Sequence, residues 1–248
     1  MKVEIAAVWA SAFWLLSAPL AAHAAGPAVQ APLLREGDTW VMDLSKQKGV
    51  TGFTRQRLVM TVDRVDADKV IIGLKPDGAP QAPQEHIVGL DWSLRLLIND
   101  EQKVTARPFV FPMKVGDAWT ADWIDPRRQG IQVSAHFRRA YRVVGWEDVT
   151  VPAGKFHALK IESDGVADGQ VIVPTVMQAG AVGEPGDAAT ASHVQVGGPR
   201  NIHLTTHSVT FYAPEVKHFV KEIEEQFNAS DILVTRETNE LVSFKPGL

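Results

Sequence analysis

The 248-residue chain contains no cysteine. That absence excludes disulfide frameworks, thiolate zinc sites, iron–sulfur clusters and thiol nucleophiles. A strong excess of charge is also missing. The formal net charge is −4, which gives no electrostatic case for nucleic acid as a partner. There is no Gly-x-Ser-x-Gly elbow, phosphate loop, dinucleotide fingerprint or His-Glu-x-x-His, so no catalytic residue, metal site or cofactor is expected. Beyond the N-terminal segment no second apolar run is long enough for a membrane-spanning helix, which needs about 20 residues.

What is present begins with an address. Lys2 precedes an uncharged stretch, residues 5–20, rich in Ala, Val, Leu, Trp and Phe, and Ala22-His23-Ala24 then supplies a small-x-small pattern. Residues 1–24 read as a secretory signal peptide cleaved after Ala24; the alternative, a membrane anchor, is short for a bilayer. With no cysteine after the run, lipid attachment is not expected. The expected location is periplasmic or secreted, with no transmembrane span after cleavage. Residues 25–38 read as a flexible leader. Residues 39–248 read as a single β-rich domain carrying an insertion over 165–200. At 45% hydrophobic and 22% charged the composition is that of a globular protein, and the mature length suffices for a core without covalent staples.

Period-2 alternation dominates the domain. Residues 55–65 place Leu58, Met60 and Val62 on one side, and residues 69–75 return with Val70, Ile72 and Leu74 after the Asp66-Ala67-Asp68 turn, which reads as a β-hairpin. Short strands are expected near 39–44, 85–90, 94–98 and 103–109, and one carries Trp119 and Trp123 on the same side. The run over 131–146 far exceeds the usual strand of about 5–6 residues, as suits a bent strand in a curved sheet. Pro152-Ala153-Gly154 is a hairpin connection, and further strands are expected over 156–163, 202–212 and 231–244. Residues 165–200 are rich in glycine and proline with no aromatic residue; brief pairing is expected at 170–173 and 175–177. Val216, Phe219, Val220, Ile223 and Phe227 have helical spacing after Pro214, although Phe219, Ile223 and Phe227 would also share a strand face. The expected fold is all-β, a single curved antiparallel sheet or partly open β-barrel.

Four landmarks occur in order: Phe111-Pro112-Met113-Lys114-Val115-Gly116-Asp117-Ala118-Trp119; Val149-Thr150-Val151-Pro152-Ala153-Gly154-Lys155-Phe156 with Lys160-Ile161; Phe211-Tyr212-Ala213-Pro214-Glu215-Val216; and Glu240-Leu241-Val242-Ser243-Phe244. Together they resemble a family of uncharacterised secreted bacterial β-rich proteins, a domain of unknown function. After Val216 that family tends to have glycine, where this chain has Lys217 and His218. The resemblance implies a curved antiparallel sheet or partly open barrel in the cell envelope, favours a strand after Pro214, and carries over no catalytic residue.

The most informative local feature is Arg139, which alternation places between Phe137 and Tyr141 on the apolar face of residues 131–146. A buried guanidinium needs a partner. The readings are a structural pair with an acid, for which Glu240 is the candidate, a bulge that turns Arg139 outward, or contact with a ligand. Arg139, Phe137 and Tyr141 are accordingly the candidate ligand-binding residues. Arg127, Arg128, Arg138, Arg139 and Arg142 form a basic stretch whose plain reading is a solvated face balanced by Glu222, Glu224 and Glu225. His203 and His207 sit on an expected strand, where i and i+4 lie about 13 Å apart, too far to share one zinc held at about 2 Å. Asp122, Asp125 and Glu162 could form an acid–base pair, but ordinary surface acids are the plainer reading. Trp40, Trp92, Trp119, Trp123 and Trp146 could line a pocket, though core packing is the commoner use of tryptophan in a sheet. The leading functional expectation is an exported, non-enzymatic envelope protein that holds a hydrophobic or amphipathic ligand on the curved sheet. The alternatives are a structural or assembly module binding another envelope protein, and, less favoured, a hydrolase.

Overall fold

Apolar–polar alternation turns nearly the whole chain into strand. The computed structural model describes residues 26–49, 52–98, 101–125, 132–178 and 192–248; the signal-peptide reading of residues 1–24, and Arg127 and Arg128, lie outside them. In chain order the strands are β1 (Thr39–Lys48), β2 (Gly52–Val65), β3 (Lys69–Pro76), β4 (Gln84–Gly89), β5 (Leu94–Ile98), β6 (Glu101–Ala106), β7 (Ala118–Asp125), β8 (Gln132–Val151), β9 (Gly154–Gln178), β10 (Ser192–Ala213), β11 (His218–Asn228) and β12 (Leu233–Lys245). They form one antiparallel sheet in the order β6-β5-β4-β3-β2-β1-β12-β11-β10-β9-β8-β7. The edges β6 and β7 come back beside each other without pairing, so the sheet is a barrel left open along one seam.

Three segments differ from their expected form. Residues 214–228 are not a helix: Pro214–Val216 is one 3-10 turn, and β11 pairs with β10 on one side and β12 on the other. Paired on both edges, the segment satisfies its backbone in two ladders, which overrides local periodicity. Within 165–200, where brief pairing was expected, the described residues continue β9 and β10 as a ladder out to Gln178 and Ser192. Of the leader expected to be flexible, residues 26–38 belong to the packing: Val29 exchanges two backbone hydrogen bonds with Met113 (2.7 and 2.8 Å), and Val29 and Leu34 are buried.

The interior has two zones. Trp40, Met113, Leu159, Ile161, Tyr212 and Leu241 are fully buried at one end, and Val29, Leu34 and Phe109 pack against them. The apolar concavity expected to take a ligand is therefore filled there by the chain itself. Further along the same face the strands present Ser163, Thr206, Ser208, Thr210, Glu222 and Glu224, successive cross-strand neighbours by register.

A bulge corrects one expectation. Between Val41 and Met42 the β1–β12 register skips Val242. Val242 is an extra residue, so Glu240 falls on the face opposite buried Leu241, not on the face of Phe244. Glu240 accordingly pairs with Lys221 (2.7 Å) and is not the partner of Arg139.

Candidate functional site

Arg139 lies on the inner face of β8, in register with Ala121 of β7 and Gly165 of β9. Its guanidinium reaches over Gly165 to β10 and β11, donating to Glu224 Oε2 at 3.0 Å and to Thr206 Oγ1 at 3.4 Å. The reach is sterically licensed by the glycine. A Cβ on Gly165 would stand 2.8 Å from both the Arg138 carbonyl oxygen and Thr206 Oγ1, and 3.2 Å from Arg139 Cβ. The side chains of Arg139 and Glu224 are 16% and 26% exposed, so the pair is largely withdrawn from water. Beneath it Ser163 and Ser208 are buried and hydrogen-bonded to each other at 2.7 Å. Burial works against the charge of Arg139, but Glu224 beside it holds the guanidinium above its ordinary value. Of the three sequence readings of Arg139, the acid pair is the one the geometry shows, with Glu224 in the place given to Glu240.

Phe137 and Tyr141 share the inner face with Arg139, and each is covered by a tryptophan of β7. Trp119 stacks on Tyr141 (centroids 5.1 Å, planes 8° apart) and Trp123 on Phe137 (5.0 Å, 11°). Burial raises the Tyr141 hydroxyl pKa, partly offset by Arg139. Between the two stacks the row is Ala121, Arg139 and Gly165. The small side chains on either side of Arg139 leave an open hollow of about 670 Å³ along this wall, lined also by Thr120, Asp122, Arg138, Ala140, Asp164 and Val166. A second groove of about 270 Å³ lies along the seam, lined by Val104, Thr105, Ala106 and Arg107 on one side and Thr120, Ala121 and Asp122 on the other.

No family model matches the chain, and no curated protein matches it. Among solved structures the chain is similar to a protein of Parabacteroides distasonis ATCC 8503 classed as a lipoprotein, at 13% identity and TM-score 0.45, over 88% of this chain and 100% of that one. It is similar to a Bacteroides fragilis NCTC 9343 protein classed as exported, with a YmcC-like fold, at 16% identity and TM-score 0.40, over 88% and 100%. It is also similar to YmcC of Escherichia coli K12, classed as a hypothetical lipoprotein, at 10% identity and TM-score 0.37, over 85% of each chain.

The remaining sequence candidates are dispersed. His203 and His207 each face an aspartate on β9, at 2.6 Å from Asp168 and 2.8 Å from Asp164. His203, with Arg138, holds the Asp168 carboxyl below its usual range. Asp122 meets His136 at 2.7 Å, and Glu162 meets Arg142 and Lys160. Neither acid is brought to another as an acid–base pair, and the Asp125 side chain lies outside the described ones. Trp40 and Trp92 are core residues whose indoles donate to the carbonyls of Val216 (2.7 Å) and Lys217 (2.8 Å). Trp146 stacks on His157.

Sequence reasoning missed the inner-wall role of Glu222 and Glu224. They had been assigned to a solvated face because Ile223 and Phe227 alternate with them. The available signal was Val220: it is fully buried, and Glu222 and Glu224 follow it at period 2. Burial, and then Glu224 nearby, push Glu222 up to about 7, while Arg139, Asn239 and Thr210 work the other way.

Proposed function

We propose that this is an exported, non-enzymatic protein of the cell envelope that holds an amphipathic small molecule inside the open part of its barrel. The observation that carries this reading is the hollow beside Arg139. Its volume of about 670 Å³ falls in the range of ligand sites, roughly 300–1,000 Å³. It is bounded along β7–β8 by two stacked aromatic pairs and faces a wall of hydroxyls and carboxylates on β10–β11. One side offers apolar contact and the other hydrogen bonds, the pairing an amphipathic molecule needs. Export is supported by the uncharged run and the small-x-small pattern of residues 1–24. A purely hydrophobic cargo is disfavoured, since the apolar end of the interior is occupied by Trp40, Met113 and Tyr212.

The test is organic extraction and mass spectrometry of protein purified from its native envelope, beside the variant Ala121→Trp, whose indole would fill the hollow. A near-stoichiometric amphiphile on the wild type, lost from a folded Ala121→Trp, is the expected result. A wild type that carries nothing, or a variant that carries the same load, would sink the reading. A second reading, an assembly module, is favoured by the seam: β6 and β7 leave edge backbone unpaired there, a template for an added strand.

A further inference from the structure

We propose that the ligand enters and leaves the hollow sideways, through the seam between β6 and β7, with the bond from Trp119 to Arg107 as its latch. This rests on the binding reading above and adds a route to it. Three observations converge. First, the hollow and the seam groove are continuous: Thr120, Ala121 and Asp122 line both. Second, the apolar end offers no passage, because Trp40, Met113 and Tyr212 fill it and residues 26–38 pack across it. Third, each of the other neighbouring strand pairs is joined by a ladder, and β6 and β7 are not. Parting them therefore breaks no ladder hydrogen bond, whereas parting β9 from β10 would break a long series.

A bond that does cross the seam is Trp119 Nε1 donating to the Arg107 carbonyl at 3.1 Å. Trp119 is also half of the stack with Tyr141 that bounds the hollow. One indole thus touches both the portal and the site. A ligand displacing the Trp119 ring from Tyr141 would pull its Nε1 from Arg107, and release of that bond would loosen the edge that admits the ligand. Val104 and Thr120, on opposite sides of the groove, are both exposed.

The absence of cysteine makes a clean test. In Val104→Cys/Thr120→Cys the two introduced thiols are the chain's only ones, so a short bis-maleimide bridges the seam and nothing else. The readout is the release rate of 11-(dansylamino)undecanoic acid, followed by its fluorescence. Bridging is expected to slow release about tenfold relative to the same variant unbridged, and Trp119→Phe, which keeps the ring stack and loses the donor, to quicken it. A bridged protein that releases the probe as fast as the unbridged one would overturn the portal while leaving the binding reading intact, with passage then through the polar end of the barrel. Failure of the untreated protein to bind the probe, together with no co-purifying amphiphile, would overturn both.

Discussion

Gly165 decides whether Arg139 can cross the inner wall. The position tolerates no Cβ because the Arg138 carbonyl oxygen and Thr206 Oγ1 would stand 2.8 Å away, and one of those neighbours is backbone. Gly165→Ala is expected to cost about 1–3 kcal/mol, the usual range for overpacking, and to weaken the Arg139–Glu224 pair. Gly145 is its control. It also lies in a long strand, but a Cβ there meets nothing within 4 Å, so Gly145→Ala should leave stability unchanged or slightly raised. Urea unfolding of the two variants checks this, and equal midpoint losses would contradict it. At this scale the sequence was half legible. Alternation put Arg139 on the inner face beside Phe137 and Tyr141, and the structure keeps it there. Its partner was not legible, because the bulge at Val242 turns Glu240 to the other face, and a one-residue slip leaves no mark in local periodicity.

β11 shows why an element's type can be legible while its orientation is not. Its apolar residues allowed helix or strand, and pairing on both edges settles strand. Which side faces in depends on neighbours distant in sequence. The strand carries two groups whose titrations oppose each other. His218 packs against Trp40, Trp92 and Phe219, with ring centroids 5.7, 4.5 and 4.3 Å away, and burial lowers its pKa from 6.5 to about 4. The unfolded chain therefore takes up that proton first, and the stability tied to neutral His218 is lost as pH falls from about 6.5 to about 4. Burial raises Glu222 from 4.5 to about 7. Here the folded state holds the proton longer, so the stability tied to protonated Glu222 is present below about 4.5 and lost as pH rises to about 7. Glu222→Gln should thus gain on the wild type across that window and hold a constant advantage above it. His218→Gln, less stable throughout from lost packing, should lose less than the wild type on acidification. Thermal melts from pH 4 to 8 read both slopes; parallel curves for all three proteins would contradict the assignments.

At the scale of the whole molecule, strand content and curvature were legible from alternation and strand length, but the closure of the barrel end was not, because it depends on one residue in a segment that reads as a leader. Asp38 is fully buried. Its carboxylate accepts the backbone N–H groups of Arg35 and Gly247, each at 2.8 Å, and the Lys217 ammonium at 2.8 and 2.9 Å. Lys217 sits in the left-handed region, with φ at 61°, and its carbonyl receives the Trp92 indole. One carboxylate thus joins the leader, the link from β10 to β11, the end of the chain after β12 and, through Trp92, the link from β4 to β5. Asp38→Ala should cost about 3 kcal/mol, since it strands a largely buried ammonium and two backbone donors. Asp38→Asn, which keeps an acceptor without the charge, should fall between. Lys217→Met in the Asp38→Ala background should recover part of the loss, because a stranded charge costs more than an apolar replacement of the pair. If Asp38 served only to pin the leader, protection of backbone amides from hydrogen exchange would fall near residues 26–38 alone. The four-way connection instead requires that it fall together in the leader, at the start of β11 and after β12, with one shared shift of the unfolding midpoint.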